Sequence, residues 1–520
     1  MPESRAAKMP DKPLPKGKLQ RFAMKAALIA KSRSPFAEHA SDIIADAAMA
    51  RQSRATYDPA KPIMTTVVIP VFNTREYLGI CLDSVLGQTQ SQIEVVLVDD
   101  GSTDGSLDIE REYAARDPRI RLITQSNLRQ GTARNRGLSI ARGKYVYFMD
   151  SDDAIVSDLF EVCYAACEKD DLDFVCFDTL GFRGKPSSLR PDLFPEIKPR
   201  RGQTAEDIRD GVVFWNENYP EQRLPFVCWL QYFRKSFLTD NDLYFKEGTF
   251  FEDNDWIVRV HLSAQRMRFL PRALHRYRAR PGSNVKSGFT IQLAESCPAV
   301  FEALVEIGRH ETNEARIRVL DGAHYALNLR FDQLCELSPD PHLLQQMQAF
   351  SRDLCRGFGD AEASSDYRRW HLAALCRLVA GVTRWQGFDF DTIRREIATI
   401  SIPGLPDDIE THKVGVFGPT RERNRLAILF DCQKIDLVHI AAGNDELSGN
   451  ENAISLDDMK ERHLDYVIAA NAGVQYCSIA NLQRIMGRDT VILRESSSAY
   501  ELEWIDFPQI LKTRPRDASS

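Results

Sequence analysis

From Thr65 onward, short apolar runs alternate with longer amphipathic stretches. Runs rich in Val, Ile and aromatic residues predict strands, because these side chains suit a pleated, buried surface. Five such runs span 66–70, 94–98, 120–124, 145–149 and 173–177. Between them, the pattern predicts helices over 77–87, 106–116 and 132–141. This alternation predicts an α/β fold with a mainly parallel sheet covered on both faces.

The remainder of the chain divides into segments of different character. Residues 183–288 look more irregular, and residues 289–400 look mainly helical, for example over 317–337 and 343–355. Pro403, Gly404 and Pro406 then mark a linker. The candidate strands beyond it indicate a small Rossmann-like unit; they span 413–417, 437–440, 466–470 and 490–493. We predict four parts: a basic, partly helical extension (1–62), the α/β domain (63–288), a helical region (289–402) and a Rossmann-like C-terminal domain (403–520).

The composition is that of a soluble globular protein, with 43% hydrophobic and 27% charged residues among 520. The net charge of -7 argues against a nucleic-acid-binding protein, because such proteins concentrate positive charge. The 11 cysteines form no C-x-x-C pair, which indicates reduced, mostly buried thiols in a cytoplasmic protein. No run approaches the roughly 20 apolar residues that span a bilayer. The N-terminus also lacks the apolar core and cleavage site of a signal peptide.

The first 35 residues are basic, with nine Lys or Arg against only Glu3 and Asp11. Around Phe22, Met24 and Leu28 this segment has two interpretations. One is a short amphipathic helix in peripheral contact with an anionic membrane surface. The other is a disordered basic tail that leads into a docking helix.

Three predicted strands are followed by polar or turn-forming residues. Parallel sheets bind ligands at the carboxyl ends of their strands, so the loops after Ile69, Val98 and Met149 are candidate binding loops. In the second loop, some side chains are equally suited to capping the next helix. These residues are Ser102, Thr103 and Asp104.

The third loop is strongly acidic, because Asp150, Asp152 and Asp153 occupy three of its four positions. Three carboxylates this close repel one another unless a cation neutralises them. Oxygen ligands suit Mg²⁺ or Mn²⁺, and Mg²⁺ often uses one or two carboxylates together with substrate phosphates. The alternative is a solvated acidic turn, but the position after a very apolar strand favours a metal site.

Four motifs, in order over about 90 residues, resemble those of family 2 glycosyltransferases. They are residues 67–73 (VVIPVFN), 94–104 (EVVLVDDGSTD), 131–137 (GTARNRG) and 141–153 (ARGKYVYFMDSDD). The resemblance continues to about residue 284, and this later part is similar to bacterial members that build capsule, exopolysaccharide or lipopolysaccharide. It implies a GT-A (nucleotide-diphospho-sugar transferase) fold for 63–288. It also implies an inverting, metal-dependent transfer from a nucleotide-diphosphate sugar to a growing surface glycan or a lipid-linked acceptor, with the inner membrane as the peripheral contact.

The resemblance also implies roles for particular residues. Asp152 and Asp153 would bind Mg²⁺ or Mn²⁺, and the acidic pair Glu252–Asp253 would hold the catalytic base, for which Asp253 is favoured. The donor would contact residues of the first three motifs and the start of the acidic loop: Pro70, Phe72, Asn73, Asp99, Asp100, Arg134 and Asp150. The usual glycine-rich loop reads Leu-Arg-Gln-Gly at 128–131, which leaves its donor contacts open.

Several residues keep two interpretations. Arg278 is a candidate phosphate ligand, whereas His275 suits either that role or simple packing. Trp256 suits a sugar-stacking site or, more simply, the core. The strand before Gly418 begins like a nucleotide-binding turn, but Pro419 breaks the full G-x-G-x-x-G. The C-terminal unit is therefore either a docking or dimerisation domain or a second ligand site.

Two other functions compete with a glycosyltransferase. A sugar-phosphate nucleotidyltransferase also uses an α/β nucleotide domain with Mg²⁺, but its glycine-rich, arginine-containing loop is missing after the first strand. A non-catalytic glycan-binding or scaffold protein of a polysaccharide assembly complex would not need the acidic residues. Both Asp152 and the Glu252–Asp253 pair are present, which favours an enzyme.

Overall fold

The computed structural model describes residues 57–182, 207–218, 226–280 and 289–397, except 361 and 383, together with six strand segments after residue 413. The basic extension up to residue 56, with its two interpretations, lies outside the described residues. Residues 281–288, 398–413 and the links between the C-terminal strands also lie outside them.

The described strands and helices are numbered in chain order. The strands up to residue 280 are β1 (Thr65–Val71), β2 (Ile93–Asp99), β3 (Ile120–Thr124), β4 (Tyr145–Phe148), β5 (Ala154–Ile155), β6 (Phe174–Phe182), β7 (Ile208–Arg209), β8 (Gln231–Arg234) and β9 (Met267–Arg278). The helices are α1 (Arg75–Leu86), α2 (Ser106–Arg116), α3 (Arg129–Ile140), α4 (Leu159–Asp170), α5 (Gly211–Asn218), α6 (Lys235–Asp240), α7 (Glu252–Ser263), α8 (Ile291–Gly308), α9 (Glu314–Phe331), α10 (Pro341–Phe358), α11 (Ser365–Val382) and α12 (Phe390–Ile397).

The chain forms two compact units. Among the described residues, the first unit holds 57–182, 207–210, 227–244 and 264–280, and the second holds the remainder. The segments 211–218 and 245–263 therefore belong to the second unit, whereas the predicted boundary at 288 keeps them with the first. That boundary remains a prediction.

The first unit is built on a nine-stranded sheet with the order β3-β2-β1-β4-β8-β6-β9-β5, in which β7 pairs with β9. β1, β2, β3 and β4 pair in parallel, whereas β8 is antiparallel to both β4 and β6. Every residue of β1 and β2 is buried, as expected for Val- and Ile-rich strands covered on both faces. The five predicted strands and three predicted helices of this region are present.

The prediction of an irregular segment over 183–288 was incomplete. Its described part contains β8 and β9, which complete the sheet, and three helices. β6 also continues to Phe182, five residues beyond its predicted end.

The second unit contains a layer of helices and a separate small sheet. α10 begins as capping rules require, because Asp340 Oδ1 accepts a hydrogen bond from the Leu343 N–H at 2.8 Å and Pro341 occupies the first helical turn. Gly308 lets α8 approach the ring of Trp370, since a Cβ there would lie 2.2 Å from it. The predicted helices at 317–337 and 343–355 correspond to α9 and α10.

Six strands after residue 413 form the small sheet. They are β10 (Val414–Gly418), β11 (Leu437–Ala441), β12 (Ala453–Ile454), β13 (Tyr466–Ala469), β14 (Val491–Glu495) and β15 (Leu502–Trp504). Their order is β12-β11-β10-β13-β14-β15, and all pairs are parallel except β14 with β15. This is the 3-2-1-4-5-6 order of a Rossmann sheet, as predicted. Pro419 lies outside the described residues, so the role of this unit remains a prediction.

The mostly buried thiols expected from the composition are found among the described residues. Eight cysteine side chains are free thiols, and seven of them are buried. No described helix combines the length and the apolar character that crossing a bilayer requires.

Candidate active site

The strand order of the large sheet reverses beside β1, where β2 lies on one side and β4 on the other. Val71 pairs with Asp99 of β2, and Val68 pairs with Phe148 of β4, so the three carboxyl ends are adjacent. Open α/β sheets form their ligand crevice at such a reversal. The three candidate loops therefore meet at one edge of the first unit.

The loop after β1 is fastened to the loop after β2. Asn73 has a φ of 53°, a left-handed conformation that asparagine tolerates better than most residues. Its Oδ1 accepts a hydrogen bond from the Thr103 N–H at 2.8 Å, and its own N–H donates to Ser102 Oγ at 3.2 Å. Phe72 is 44% exposed, whereas Pro70 is buried within β1. Phe72 and Asn73 therefore present side chains at this edge.

The two aspartates after β2 are both buried but have different partners. Asp99 Oδ2 accepts a hydrogen bond from the Gly101 N–H at 3.2 Å and so shapes its own loop. Asp100 Oδ1 accepts hydrogen bonds from Gln125 Nε2 at 2.8 Å and from the Leu128 N–H at 2.7 Å. Leu128 is 45% exposed. Asp100 therefore ties the start of α3 to the site and brings a second exposed apolar side chain to this edge.

Asp104 supports the first turns of two helices. Its Oδ1 accepts a hydrogen bond from the Ser106 N–H at 2.9 Å, and its Oδ2 accepts one from the Arg75 N–H, also at 2.9 Å. Burial opposes ionisation, but these hydrogen bonds outweigh it and lower the pKa of Asp104. Of the two interpretations for this loop, the structure shows the helix-supporting one for Asp104.

Asp150, the first residue of the acidic loop, is paired with a buried arginine. Arg134 of α3 is 2% exposed, and its Nη2 lies 2.8 Å from Asp150 Oδ1. One turn further along, a Cβ at Gly137 would lie 2.2 Å from a methyl carbon of Val68. The glycine therefore lets α3 lie close against β1, which fixes the guanidinium beside the acidic loop.

Asp152 is paired with Arg280, a residue that the sequence analysis did not single out. Arg280 Nε lies 2.5 Å from Asp152 Oδ2. Burial and the charge of Asp150 raise the pKa of Asp152, and Arg280 opposes that rise. The guanidinium of Arg280 also lies 5.2 Å from the centroid of the Tyr77 ring. Arg280, Tyr77 and Asn73 all line a cavity of about 570 Å³.

Asp153 is placed differently, because it is 1% exposed and faces the interior of the first unit. Its Oδ1 accepts a hydrogen bond from the Arg278 N–H at 2.7 Å, and its Oδ2 lies 2.9 Å from His275 Nε2. Burial and the charges of the neighbouring aspartates raise the pKa of Asp153 well above its usual range. Both oxygens are thus used inside the protein, and this geometry gives no support to Asp153 as a metal ligand.

His275 is a packed core histidine. Its ring stacks on Trp229 with 4.4 Å between centroids, and its Nδ1 lies 2.8 Å from the Tyr147 hydroxyl. Burial, with a contribution from the charge of Arg276, lowers the pKa of His275 to about 3. The imidazole is therefore neutral at physiological pH, and the packing interpretation is the one the structure supports.

The carboxylates of the acidic loop fit a divalent cation only in part. The hydrogen bonds of Asp150 and Asp152 to arginine use one oxygen each, Oδ1 and Oδ2 respectively, so the second oxygen of each carboxylate is suited to a hard cation. Over the described part of the chain, no three His, Cys, Asp or Glu side chains converge on one point. This arrangement matches a Mg²⁺ or Mn²⁺ that takes its other ligands from phosphate and water.

The acidic pair predicted to carry the base lies in the second unit, in the first turn of α7. Glu252 is completely buried, and Asp253 is half-buried. Negative charge is favourable here, because the N-terminus of a helix carries partial positive charge. Trp256, one turn later, is fully buried and stacks on Phe245 at 4.3 Å, so it is a core residue.

A further buried acid, Glu110 of α2, had no signal in the sequence other than its place on a helix. It is completely buried, and Asp99 acts on its carboxyl group both through charge and through a side-chain hydrogen bond. Burial, together with the charges of Asp99 and Asp104, raises its pKa to about 8. A rise of this size favours the protonated form of Glu110 at neutral pH.

Comparison with known proteins places this arrangement in a family. The sequence profile described as Glycosyl transferase family 2 matches residues 66–221. The protein named "Uncharacterized glycosyltransferase EpsJ" of Bacillus subtilis (strain 168) is 30% identical over 248 residues, which cover 48% of this chain and 70% of EpsJ. "Glycosyltransferase GlyG" of Streptococcus pneumoniae is 30% identical over 250 residues, covering 46% of this chain and 78% of GlyG.

Among solved structures, residues 1–349 of S. aureus TarS in complex with UDP-GlcNAc are 19% identical to this chain, with a TM-score of 0.43. That match covers 62% of this chain and 91% of the TarS fragment. The chain belongs to the family 2 glycosyltransferases, and its nine-stranded sheet is the core of a GT-A fold.

Proposed function

We propose that this glycosyltransferase moves a sugar, with inversion, from a nucleotide-diphosphate donor to a growing surface glycan or a lipid-linked acceptor. The observation that carries the proposal is the pair of acid–arginine contacts, Arg134–Asp150 and Arg280–Asp152, at the sheet reversal. These contacts place two guanidinium groups and two carboxylates where an α/β sheet binds nucleotides. The combination suits a diphosphate with its counter-cation.

The nucleoside end of the donor is assigned to the loops after β1, β2 and β3. Phe72 and Leu128 are exposed apolar side chains on these neighbouring segments, and a planar base gains most from contact with such surfaces. Asn73 and Asp100 add polar atoms beside them. Arg134 is assigned to the diphosphate, because a guanidinium matches phosphate oxygens in geometry and charge.

Asp150 and Asp152 are proposed to hold Mg²⁺ or Mn²⁺. The bound cation would stabilise the charge that develops on the leaving diphosphate. Asp153 is left out of this set, because its Oδ1 accepts a hydrogen bond from the Arg278 N–H and its Oδ2 is hydrogen-bonded to His275 Nε2. Its proposed task is to hold the strand that carries Arg278 against the acidic loop.

Asp253 is proposed as the general base, with Glu252 beside it in the same turn. In a single displacement, the acceptor hydroxyl must lose its proton as it attacks the anomeric carbon. A positioned carboxylate supplies that proton acceptance and typically contributes about 10²–10⁴-fold to the rate. This assignment rests on the resemblance of the Glu252–Asp253 pair to the acidic pair of the family.

Donor hydrolysis tests the proposal directly. The wild type, Asp152→Ala and Asp253→Asn would be incubated with UDP-, GDP- and dTDP-sugars in the presence of Mg²⁺ or Mn²⁺, and the released nucleoside diphosphate would be measured. Metal-dependent release that is lost in Asp152→Ala supports the donor site and identifies the nucleotide. Loss in Asp253→Asn with intact donor binding supports the base. If titration detects no metal-dependent donor binding for any sugar nucleotide, the proposal is wrong and a scaffold role takes its place.

The acceptor and the membrane contact need a separate experiment. A lipid-linked acceptor is proposed from the family resemblance and from the basic first 35 residues. Sedimentation with anionic liposomes would compare the full chain with a variant that lacks residues 1–60. A smaller pelleted fraction for the shortened chain supports peripheral contact through the N-terminus, and equal fractions contradict it.

A further inference from the structure

A phenylalanine in a left-handed conformation directly precedes the acidic pair of α7. Phe251 has a φ of 60°, which is rare for a residue with a bulky side chain. Three residues earlier the same loop uses glycine for a positive φ, at Gly248, where no atom lies within 4 Å of an added Cβ. The loop thus has two positive φ angles. The first is at a glycine, and the second is at a phenylalanine directly before Glu252. Such strain persists only where the surroundings determine the conformation, and it concentrates at functional positions.

Contacts from two neighbouring helices hold Phe251 in this conformation. On its N-terminal side, the Phe250 N–H donates a hydrogen bond to Ser296 Oγ of α8 at 3.0 Å. Ser296 is itself fixed, because its hydroxyl donates to the Gln292 carbonyl at 3.1 Å. From the second helix, α9, the guanidinium of Arg330 lies 5.2 Å from the centroid of the Phe251 ring, within the range of a cation–π contact.

The same residue starts the helix that follows. The Phe251 carbonyl accepts a hydrogen bond from the Asn254 N–H at 3.0 Å, which closes the first turn of α7 around Glu252 and Asp253. Behind this turn, Asp255 and Trp256 are almost completely buried. The direction in which Asp253 leaves the helix is therefore set by the backbone angles at Phe251 and by whatever keeps them there.

We propose that Phe251 and Arg330 form an aromatic–guanidinium clamp that positions Asp253 for proton abstraction. The inference rests on the proposed role of Asp253 as general base. Phe251 and Arg330 are positioning residues, because they act through the backbone and take no part in proton transfer. Displacing a catalytic group by about 1 Å costs about 100-fold in rate, so losing the clamp affects turnover rather than donor binding.

The test compares kcat with the donor KM in matched variants. Phe251→Gly removes the ring and permits a positive φ without strain, so the backbone is no longer held there. We expect kcat to fall about 10- to 100-fold with the donor KM unchanged within twofold. Phe251→Tyr keeps the ring and should restore kcat to within about threefold of the wild type. A merely structural role would instead lower kcat and melting temperature together, and would raise the donor KM.

Arg330→Met provides an independent arm that leaves the loop sequence intact. It should lower kcat in the same way, and Arg330→Lys should recover part of the loss because it keeps a cation. Leu329→Met, at an exposed neighbouring position of α9, is the matched control and should match the wild type. The double variant Phe251→Gly with Arg330→Met should lose no more kcat than the stronger single variant, because both remove one contact. Losses that multiply would overturn the clamp.

Asp253→Asn separates the clamp from the function on which it rests. If this variant loses turnover while Phe251→Gly and Arg330→Met keep wild-type kcat, the base stands and the clamp is wrong. If Asp253→Asn keeps wild-type kcat, the base assignment fails and the clamp fails with it. Loss in all three variants, with the donor KM unchanged and rescue by Phe251→Tyr, supports both.

Discussion

Arg280 Nε lies 2.5 Å from Asp152 Oδ2, so the carboxylate proposed for the metal already has a cationic neighbour. The contact joins the acidic loop after β4 to Arg280, which follows the end of β9. It also joins residues 128 positions apart in the sequence. Arg280 thereby opposes burial and the charge of Asp150, which both favour the protonated form of Asp152 and raise its pKa.

Removing this guanidinium should change the pH dependence of the enzyme. In Arg280→Met, the pKa of Asp152 rises further, because the guanidinium that opposes the effects of burial and of Asp150 is gone, and a protonated Asp152 binds metal poorly. We expect the acidic limb of the kcat/KM profile to move to higher pH. Profiles measured between pH 5 and 9 check this, with Arg111→Met, which removes an exposed i,i+3 pair, as the control. An unchanged or downward-shifted limb would contradict the role given to Arg280.

Asp152 and Asp153 should respond differently to the same substitution. In Asp153→Asn, the amide oxygen still accepts from the Arg278 N–H and the NH₂ group donates to His275, so the interior contacts persist. We expect metal-dependent donor hydrolysis within about fivefold of the wild type. Asp152→Asn should lose about 100-fold or more with an unchanged melting temperature. Equal losses of activity in Asp153→Asn and Asp152→Asn would indicate that Asp153 also binds the metal.

Glu94 should contribute strongly to stability above pH 5. It is completely buried, with Arg142 Nε at 2.6 Å and Arg121 Nη1 at 3.0 Å from its Oε1. Burial alone would raise its pKa, but hydrogen bonds from Arg142, Arg121 and Thr66 lower it overall. Because the folded pKa is depressed, this contribution is present above the unfolded value and disappears as pH falls through the folded one. Glu94→Gln should cost about 2 to 4 kcal/mol at pH 7.

Urea denaturation at pH 7 and pH 3 measures that contribution. The difference between the wild type and Glu94→Gln should shrink at the lower pH, because the wild-type carboxylate becomes protonated there. Glu112→Gln, which alters an exposed pair with Arg116, should change stability by less than about 0.5 kcal/mol at either pH. If the wild type and Glu94→Gln differ in stability as much at pH 3 as at pH 7, the ion pairs of Glu94 are not the source of the difference.

Glu110 should have the opposite dependence on pH. Its folded pKa, about 8, lies above the ordinary value of 4.5, so the folded state binds the extra proton between these values. Its contribution to stability is therefore lost as pH rises, by up to about 1.4 kcal/mol per pH unit. Glu110→Gln should remove this slope and stabilise the protein at pH 7.5. Denaturation curves at pH 5.5, 6.5 and 7.5 check it, and parallel pH slopes for both proteins would contradict the buried, protonated state.

The strands around β1 could be predicted because their sequence and their environment agree. Runs such as 66–70 and 94–98 contain Val and Ile on both faces, and both faces are buried. β9 was missed for the converse reason. Arg268 and Arg276 interrupt its apolar residues, and charge in a sequence indicates exposure. In the fold Arg268 pairs with Asp170 at 2.9 Å and Arg276 donates to backbone carbonyls, so both are buried.

The site was predictable only as far as local sequence determines it. The loops at the strand ends were predictable, because parallel strands bring their carboxyl ends to one edge. The separation of Asp152 from Asp153 was not, since Arg280, Arg278 and His275 approach from more than 120 positions away. The strain at Phe251 also depends on helices that follow it in the chain. Tertiary partners therefore decide which of several adjacent acids are accessible.

The length of the acidic loop determines which of its side chains are accessible. Along its four residues, accessible and buried positions alternate: Asp150 and Asp152 are partly exposed, whereas Ser151 and Asp153 are buried. Thr74 Oγ1 donates a hydrogen bond to Ser151 Oγ at 3.0 Å, which holds the buried positions of the loop in place. Adding or removing one residue after β4 would exchange the two sets and turn the carboxylates of Asp150 and Asp152 into the interior. The D-x-D spacing is thus a constraint on the length of the loop as well as on its chemistry.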